Sequence, residues 1–145
     1  MKRWNNFEYR LLIGTVIVAL SGLGLYAQSG NGPRSGSRMY DPNTETTLKG
    51  VVQEVKEVPG PGRATGTHLT VQSGNDVYDV HVGPTWYLKQ QKYVFAKGEE
   101  VEVTGSKVKY QRADAIIARQ IKKDGATWAV RDEQGVPLWS RGKNR

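Results

Sequence analysis

Residues 67–91 read THLTVQSGNDVYDVHVGPTWYLKQQ, from Thr67 to Gln91. Two alternating runs, Thr67–Ser73 and Asp76–Val82, flank Gly74-Asn75, a pair suited to a two-residue hairpin turn. Pairing Ser73 with Asp76 sets the register. Val71 then faces Tyr78 and Leu69 faces Val80, with all four on one side. Thr70 faces Asp79 and His68 faces His81 on the other side. A slip of one residue would mix the two sets, so turn and pattern agree. Gly83-Pro84 then breaks the strand, and Thr85–Gln91 is a short helix with Pro84 in its first turn.

The same reading extends outward. Upstream, Thr46–Val58 is rich in β-branched residues and long for one strand, with Gly50 as a bend point. Pro59–Gly66 forms the loop that follows it. Downstream, Phe95 plugs the core, and Lys97-Gly98 opens a strand over Glu99–Thr104 with Val101 and Val103 inward. Lys107–Arg112 is a loop or strand end. Ala113–Ile121 is a further strand, and Asp124-Gly125 turns the chain into Thr127–Arg131. A last turn over Asp132–Gly135 leads to Val136–Trp139. These elements predict an all-β fold. It is a five- to six-stranded OB-fold-like Greek-key barrel with one short helix between strands 3 and 4. An SH3-like small barrel is the alternative, and the position of the helix favours the OB order. Trp86 and Tyr87 on the helix read as a plug. Trp128 and Trp139 read as closing the barrel bottom.

A hydrophobic helix precedes this domain. Lys2, Arg3 and Arg10 lead into an uncharged run from Leu11 to Gln28. A basic start, an apolar centre and small residues near Ala27 predict a signal peptide over 1–27, cut after Ala27, or a retained membrane anchor over 11–27. Either places the domain outside the cytoplasm, periplasmic or secreted, or anchored at the inner membrane. A core helix is the weaker alternative, because the run is apolar on all faces. Residues 28–45 are dominated by Gly, Ser, Asn and Pro and read as a flexible linker. The barrel is assigned to 46–139 and a basic tail to 140–145.

The 145 residues carry a net charge of +7. Residues 46–139 hold thirteen basic and eleven acidic side chains, so the domain contributes +2. The remainder sits in the export segment and the last six residues, so the basic pI of about 9.7 does not mark a nucleic-acid surface on the barrel. There is no cysteine. That excludes disulfides, a thiol nucleophile, cysteine zinc sites and haem attachment.

The two histidines of the chain, His68 and His81, fall opposite each other, with Asp79 two residues from His81 on the same face. Two imidazoles and a carboxylate can bind a divalent transition metal such as zinc or copper. Surface histidines without a metal are the plainer reading of the same pair. OB barrels bind ligands across strands 2 and 3 and the flanking loops. Here that region offers Thr70 on the face, Arg63 in the first loop, and Lys107, Lys109, Tyr110 and Arg112 in the later one. The face lacks the aromatic platforms that single-stranded nucleic acid needs. No phosphate-binding loop or nucleophile elbow occurs, and Glu99, Glu100 and Glu102 form a charged strand edge, so no enzymatic activity is expected.

The segments TTLKGVVQEV, GTHLTVQSG, YDVHVGPTWYL, FAKGEEVEVTGSKV, AIIARQIKKDG and WAVRDEQGVPLW resemble small exported bacterial OB-fold proteins. They also resemble the OB-like domain of the magnetosome proteins MamS and MamX. The resemblance covers Tyr40–Trp139, and its most specific pieces are DVHVGP and RDEQGVPLW. It implies the fold and export, and a link to crystal maturation in the magnetosome members. The resulting expectation is an exported module that binds a metal ion, a small polar ligand or an envelope protein. A nucleic-acid-binding OB protein and a structural envelope component are the alternatives.

Overall fold

The computed structural model describes residues 39–144. The signal or anchor expected over 1–27, and the linker up to residue 38, lie outside them. Six strands and one helix follow in order: β1 (Glu45–Pro59), β2 (Thr65–Ser73), β3 (Asp76–Pro84), α1 (Thr85–Gln91), β4 (Glu100–Tyr110), β5 (Ala113–Lys123) and β6 (Ala126–Ala129). The helix falls between the third and fourth strands, as the sequence predicts.

β1 serves two partners. It pairs with β4 from Glu45 to Val51 and with β2 from Val51 to Pro59. Gly50 lies at the handover, where a Cβ would come within 2.2 Å of the Gln72 carbonyl oxygen. Only glycine lets the two backbones approach so closely. The β2–β3 hairpin has the expected register: Ser73 pairs with Asp76, Val71 with Tyr78, Leu69 with Val80, Thr70 with Asp79 and His68 with His81. Leu69, Val71, Val80 and Val82 are fully buried and meet Val52, Val103, Ile116 and Ile121 in one core. Burying each such side chain contributes roughly 1.5–3 kcal/mol. A register shift after Thr67 lets β3 run on through Gly83 and Pro84, past the expected stop.

Residues 107–112, expected as a loop or strand end, are mostly strand. β4 continues to Tyr110 because Gly105 sits at a bulge rather than at an end. Lys107 and Lys109 face solvent while Val108 and Tyr110 are half-buried, so the run looks polar only because its outer face is wet. The helix also differs in one detail. Tyr87 and Leu88 are buried, but Trp86 points outward and is 49% exposed, so Tyr87 alone forms the aromatic plug. Trp139 packs on the backbone at Gly83 and against Tyr87, whereas Trp128 stacks on Tyr93 and meets Phe95 edge-on, both in the connection between α1 and β4.

Five strands close into a barrel through a parallel pairing of β3 with β5, and β6 extends the sheet beyond β5. The closing seam is short: Asp79 with Ala115, Val80 with Ile116 and His81 with Ile117. The next pair along it would be Val82 and Ala118. There the Nη1 of Arg131 donates to both carbonyls, at 3.0 Å to Val82 and in a short bond to Ala118. The backbone N–H groups of Val130 and Arg131 then donate to Arg119, and β6 pairs with Gln120–Lys123. This edge of β5 is thus covered by β3, a side chain, a loop and β6 in turn, which removes a free strand edge.

Arg131 is only 8% exposed and no acidic side chain pairs with it among the described residues. Its guanidinium lies 4.8 Å from the Trp139 ring, and burial pushes its pKa down to about 10.

The chain enters the barrel earlier than its composition suggests. Tyr40 is buried against Gly135, Asp41 caps a single 3-10 turn over Pro42–Thr44, and the Ser106 hydroxyl accepts from the Asp41 N–H at 3.0 Å. Arg119 clamps Glu45 with two bonds of 2.8 Å, and the Tyr40 phenol donates to the same carboxylate. At the other end a 3-10 segment covers Leu138–Asn144, and within it Arg141 pairs with Asp132.

Two outcomes are expected. Arg131→Met strips two buried carbonyls of their donor, and urea denaturation should show a loss of about 2–4 kcal/mol. A loss below about 0.5 kcal/mol would remove Arg131 from the closure. The Arg119 bond holds the Glu45 carboxyl below its ordinary value. A depressed carboxyl contributes stability that is full above its unfolded pKa and is lost as pH falls through the folded one. Glu45→Gln should therefore lower stability by about 1 kcal/mol at neutral pH and flatten the loss measured below about pH 4.5.

Candidate metal centre on the closing seam

The hairpin register that buries Leu69 and Val80 turns His68, Thr70, Asp79 and His81 to the outer face. His68 and His81 are direct cross-strand partners, and their rings stack with centroids 4.0 Å apart and planes inclined by 28°. Both converge on one atom. Asp79 Oδ2 lies 3.3 Å from His68 Nδ1 and 3.0 Å from His81 Nε2. The two imidazoles are largely sheltered, with side chains 16% and 14% exposed, whereas Asp79 is 39% exposed. The cluster therefore has a dry base and an open mouth.

Burial comes first in holding the His81 imidazole below its ordinary pKa. The facing His68 ring adds to this, Asp79 opposes it, and Arg131 contributes a smaller push in the same direction as burial. A neutral imidazole is the form that coordinates a metal. One ligand atom from each of the three side chains falls within 4.8 Å of the others. That is compact enough for a cation to replace the shared protons with little movement. Three protein ligands leave one position of a tetrahedron open.

The cluster also straddles the barrel seam. Asp79 and His81 belong to the three β3 residues that pair with β5. Arg131 binds the carbonyl of Val82, the residue after His81. The backbone under the candidate ligands is thus fixed from both sides.

The other residues proposed from the sequence divide. Thr70 pairs with Asp79 across the strands and borders the cluster. Tyr110 meets His81 edge-on, with ring centroids 4.8 Å apart at 83°. Lys107 and Lys109 are turned to Asp114, at 3.7 and 2.5 Å, and Lys107 lies 5.6 Å over the Tyr78 ring. Arg63 and Arg112 are exposed at turns, both with left-handed backbone (φ 67° and 71°), and form no ion pair with a described residue. The basic group therefore does not converge on the cluster. Arg131 and its effect on His81 were not foreseen. Its carbonyl partners lie 13 and 49 residues away, so no local pattern marks it.

The fold and this face define a small closed-barrel domain with a polar, histidine-bearing surface site. The chain belongs to the MamS/MamX magnetosome protein family, whose pattern matches residues 44–128. The match begins one residue before β1 and ends within β6, so it covers the barrel with all of its ligand candidates. No curated protein matches the chain closely enough to add a named relative.

The geometry makes Asp79 the hub of the cluster. In Asp79→Asn one acceptor oxygen remains but the charge is gone. The His81 titration followed by NMR should then move further toward acid, since the carboxylate is what opposes the effect of burial on that ring. An unchanged His81 titration would show that Asp79 does not act on it.

Proposed function

We propose that this protein is an exported, magnetosome-associated binding module of OB-fold type, without catalytic activity, that holds a divalent transition metal at His68, Asp79 and His81. The convergence of both imidazoles on one carboxylate oxygen carries this reading. Imidazole suits zinc and copper, and a carboxylate supplies the charge that offsets the dication. Family membership supports the magnetosome association. The basic, apolar and small-residue pattern of residues 1–27 supports export, with the anchor as its retained form. The face between the β1–β2 and β4–β5 loops is where barrels of this type take their ligands. An envelope protein or a small polar ligand would approach by the same open mouth. Lys107 and Lys109 are engaged by Asp114, which weakens the case for a phosphate-tracking nucleic-acid surface.

Calorimetric titration with Zn²⁺ tests the reading. One equivalent should bind the wild-type chain, and His68→Ala or His81→Ala should each weaken it by roughly tenfold or more. Heat and stoichiometry unaltered by both substitutions would place the metal elsewhere and end this assignment.

A further inference from the structure

We infer that helix α1 and the segment after it form a docking face for an anionic membrane surface. Trp86 and Val94 enter the headgroup layer, and Lys89, Lys92 and Lys97 meet the lipid phosphates.

The apolar part of this face departs from the rest of the barrel. Tyr87 and Leu88 of α1 are buried in the core, whereas Trp86 turns outward and is 49% exposed. It is the one exposed tryptophan among the described residues, since Trp128 and Trp139 are packed. Helical spacing puts Lys89 and Gln90 on the side of α1 that carries Trp86. Lys92 caps the helix. Val94 follows two residues later and is 65% exposed, while Tyr93 and Phe95 on either side of it pack on Trp128. An indole with one wet face suits a bilayer interface, where its ring is half immersed and its N–H stays hydrated.

Charge identifies the occupant. Residues 85–98 hold Lys89, Lys92 and Lys97 and no carboxylate. The rest of 46–139 holds ten basic and eleven acidic side chains, so the positive excess of the barrel lies in this one segment. All three lysines are exposed. Lys92 and Lys97 form no ion pair with a described residue, and Lys89 meets Glu57 at 3.6 Å with both groups open to water. Glu99, the next carboxylate along the chain, is taken up by Lys123 at 2.6 Å. Anionic lipid attracts such a group of lysines. Lysine is depleted from protein–protein contacts but readily extends to lipid headgroups, which favours a bilayer over a protein partner.

The path of the chain agrees with this. Tyr40 packs on Gly135, and four residues after that glycine Trp139 packs against Tyr87 of α1. One packed segment thus joins the point where the chain enters the barrel to the helix. With residues 11–27 held in a membrane, the eleven residues 28–38 span at most about 40 Å. A tether of that length keeps the barrel beside the bilayer.

The chain has no cysteine, so a single introduced thiol carries a spin label at a chosen point. The full chain with Val94→Cys is labelled and reconstituted in phosphatidylcholine vesicles with or without phosphatidylglycerol. Collision of the label with oxygen and with a nickel chelate reports immersion. Val77→Cys is the control, being 58% exposed and eight residues before α1 along β3, about 25 Å away. With phosphatidylglycerol the Val94 label should be immersed and the Val77 label aqueous, and without it both should be aqueous. Lys92→Gln or Lys97→Gln should each shift the balance roughly fivefold toward the aqueous state, and Trp86→Ala should shift it the same way. These side chains are exposed, so circular dichroism should report an unchanged fold. Both labels aqueous on anionic vesicles, or both equally immersed, overturns the inference. A Val94 label shielded from both colliders to the same degree with and without anionic lipid shows a second copy of the chain on this face and overturns it as well. None of these outcomes depends on a bound metal.

Discussion

The barrel depends on a seam of three residue pairs. The antiparallel pairings of β1 with β2 and β4, of β2 with β3 and of β4 with β5 are long, but β3 meets β5 in parallel over Asp79–His81 and Ala115–Ile117 alone. A seam that short would leave the carbonyls of Val82 and Ala118 buried without donors. Arg131 supplies both bonds from a single nitrogen. The cost is a cation taken out of water with no carboxylate of the described residues beside it, and the depressed pKa reflects that cost. The stacked Trp139 ring offsets part of it, since an aromatic face attracts a guanidinium. The same tryptophan ring lies on the glycine backbone of β3, so the C-terminal segment locks the seam as it covers it.

The candidate site is built on this seam, and that explains its shape. Residues that close the barrel with their backbones carry Asp79 and His81 on their outer face. Cross-strand pairing adds His68, and the Tyr110 ring of β4 stands edge-on to His81. The candidate donor atoms of His68, Asp79 and His81 are thus positioned by hydrogen-bonded strands rather than by loops. Strand-borne donors hold their geometry more tightly, which favours a defined coordination sphere over an adaptable surface. Arg131 connects the two roles. It secures the backbone beneath His81 and also biases that imidazole toward its neutral form.

Much of this was legible in the sequence for one reason: local chemistry and burial pointed the same way. Gly74-Asn75 set the register of the hairpin, and alternation of Leu69, Val71 and Val80 allowed no other. From that register alone His68 faced His81. The helix was visible because Gly83-Pro84 interrupts the strand alternation. Elsewhere local and tertiary signals diverged. Gly105 looks like the end of a strand, yet a Cβ there would lie 2.3 Å from the Ile117 carbonyl, so it marks a bulge and close contact. Tyr40 and Glu45 share the composition of a linker, and only Arg119, 74 residues from Glu45, reveals that they are packed. Trp86 had to be read as core by residue type, while helix geometry turned it outward. The approach of Tyr110 to His81 needs the closed barrel, because β3 and β4 are not neighbours in the sheet order.

If metal binding and closure of the barrel are one arrangement, the ligand must steady the seam it sits on. Amide hydrogen exchange with and without saturating Zn²⁺ reads this directly. The account predicts slower exchange over Asp79–His81 and Ala115–Ile117, with little change in the β1–β4 ladder. Zinc bound at stoichiometric occupancy with unchanged exchange along that seam would contradict it.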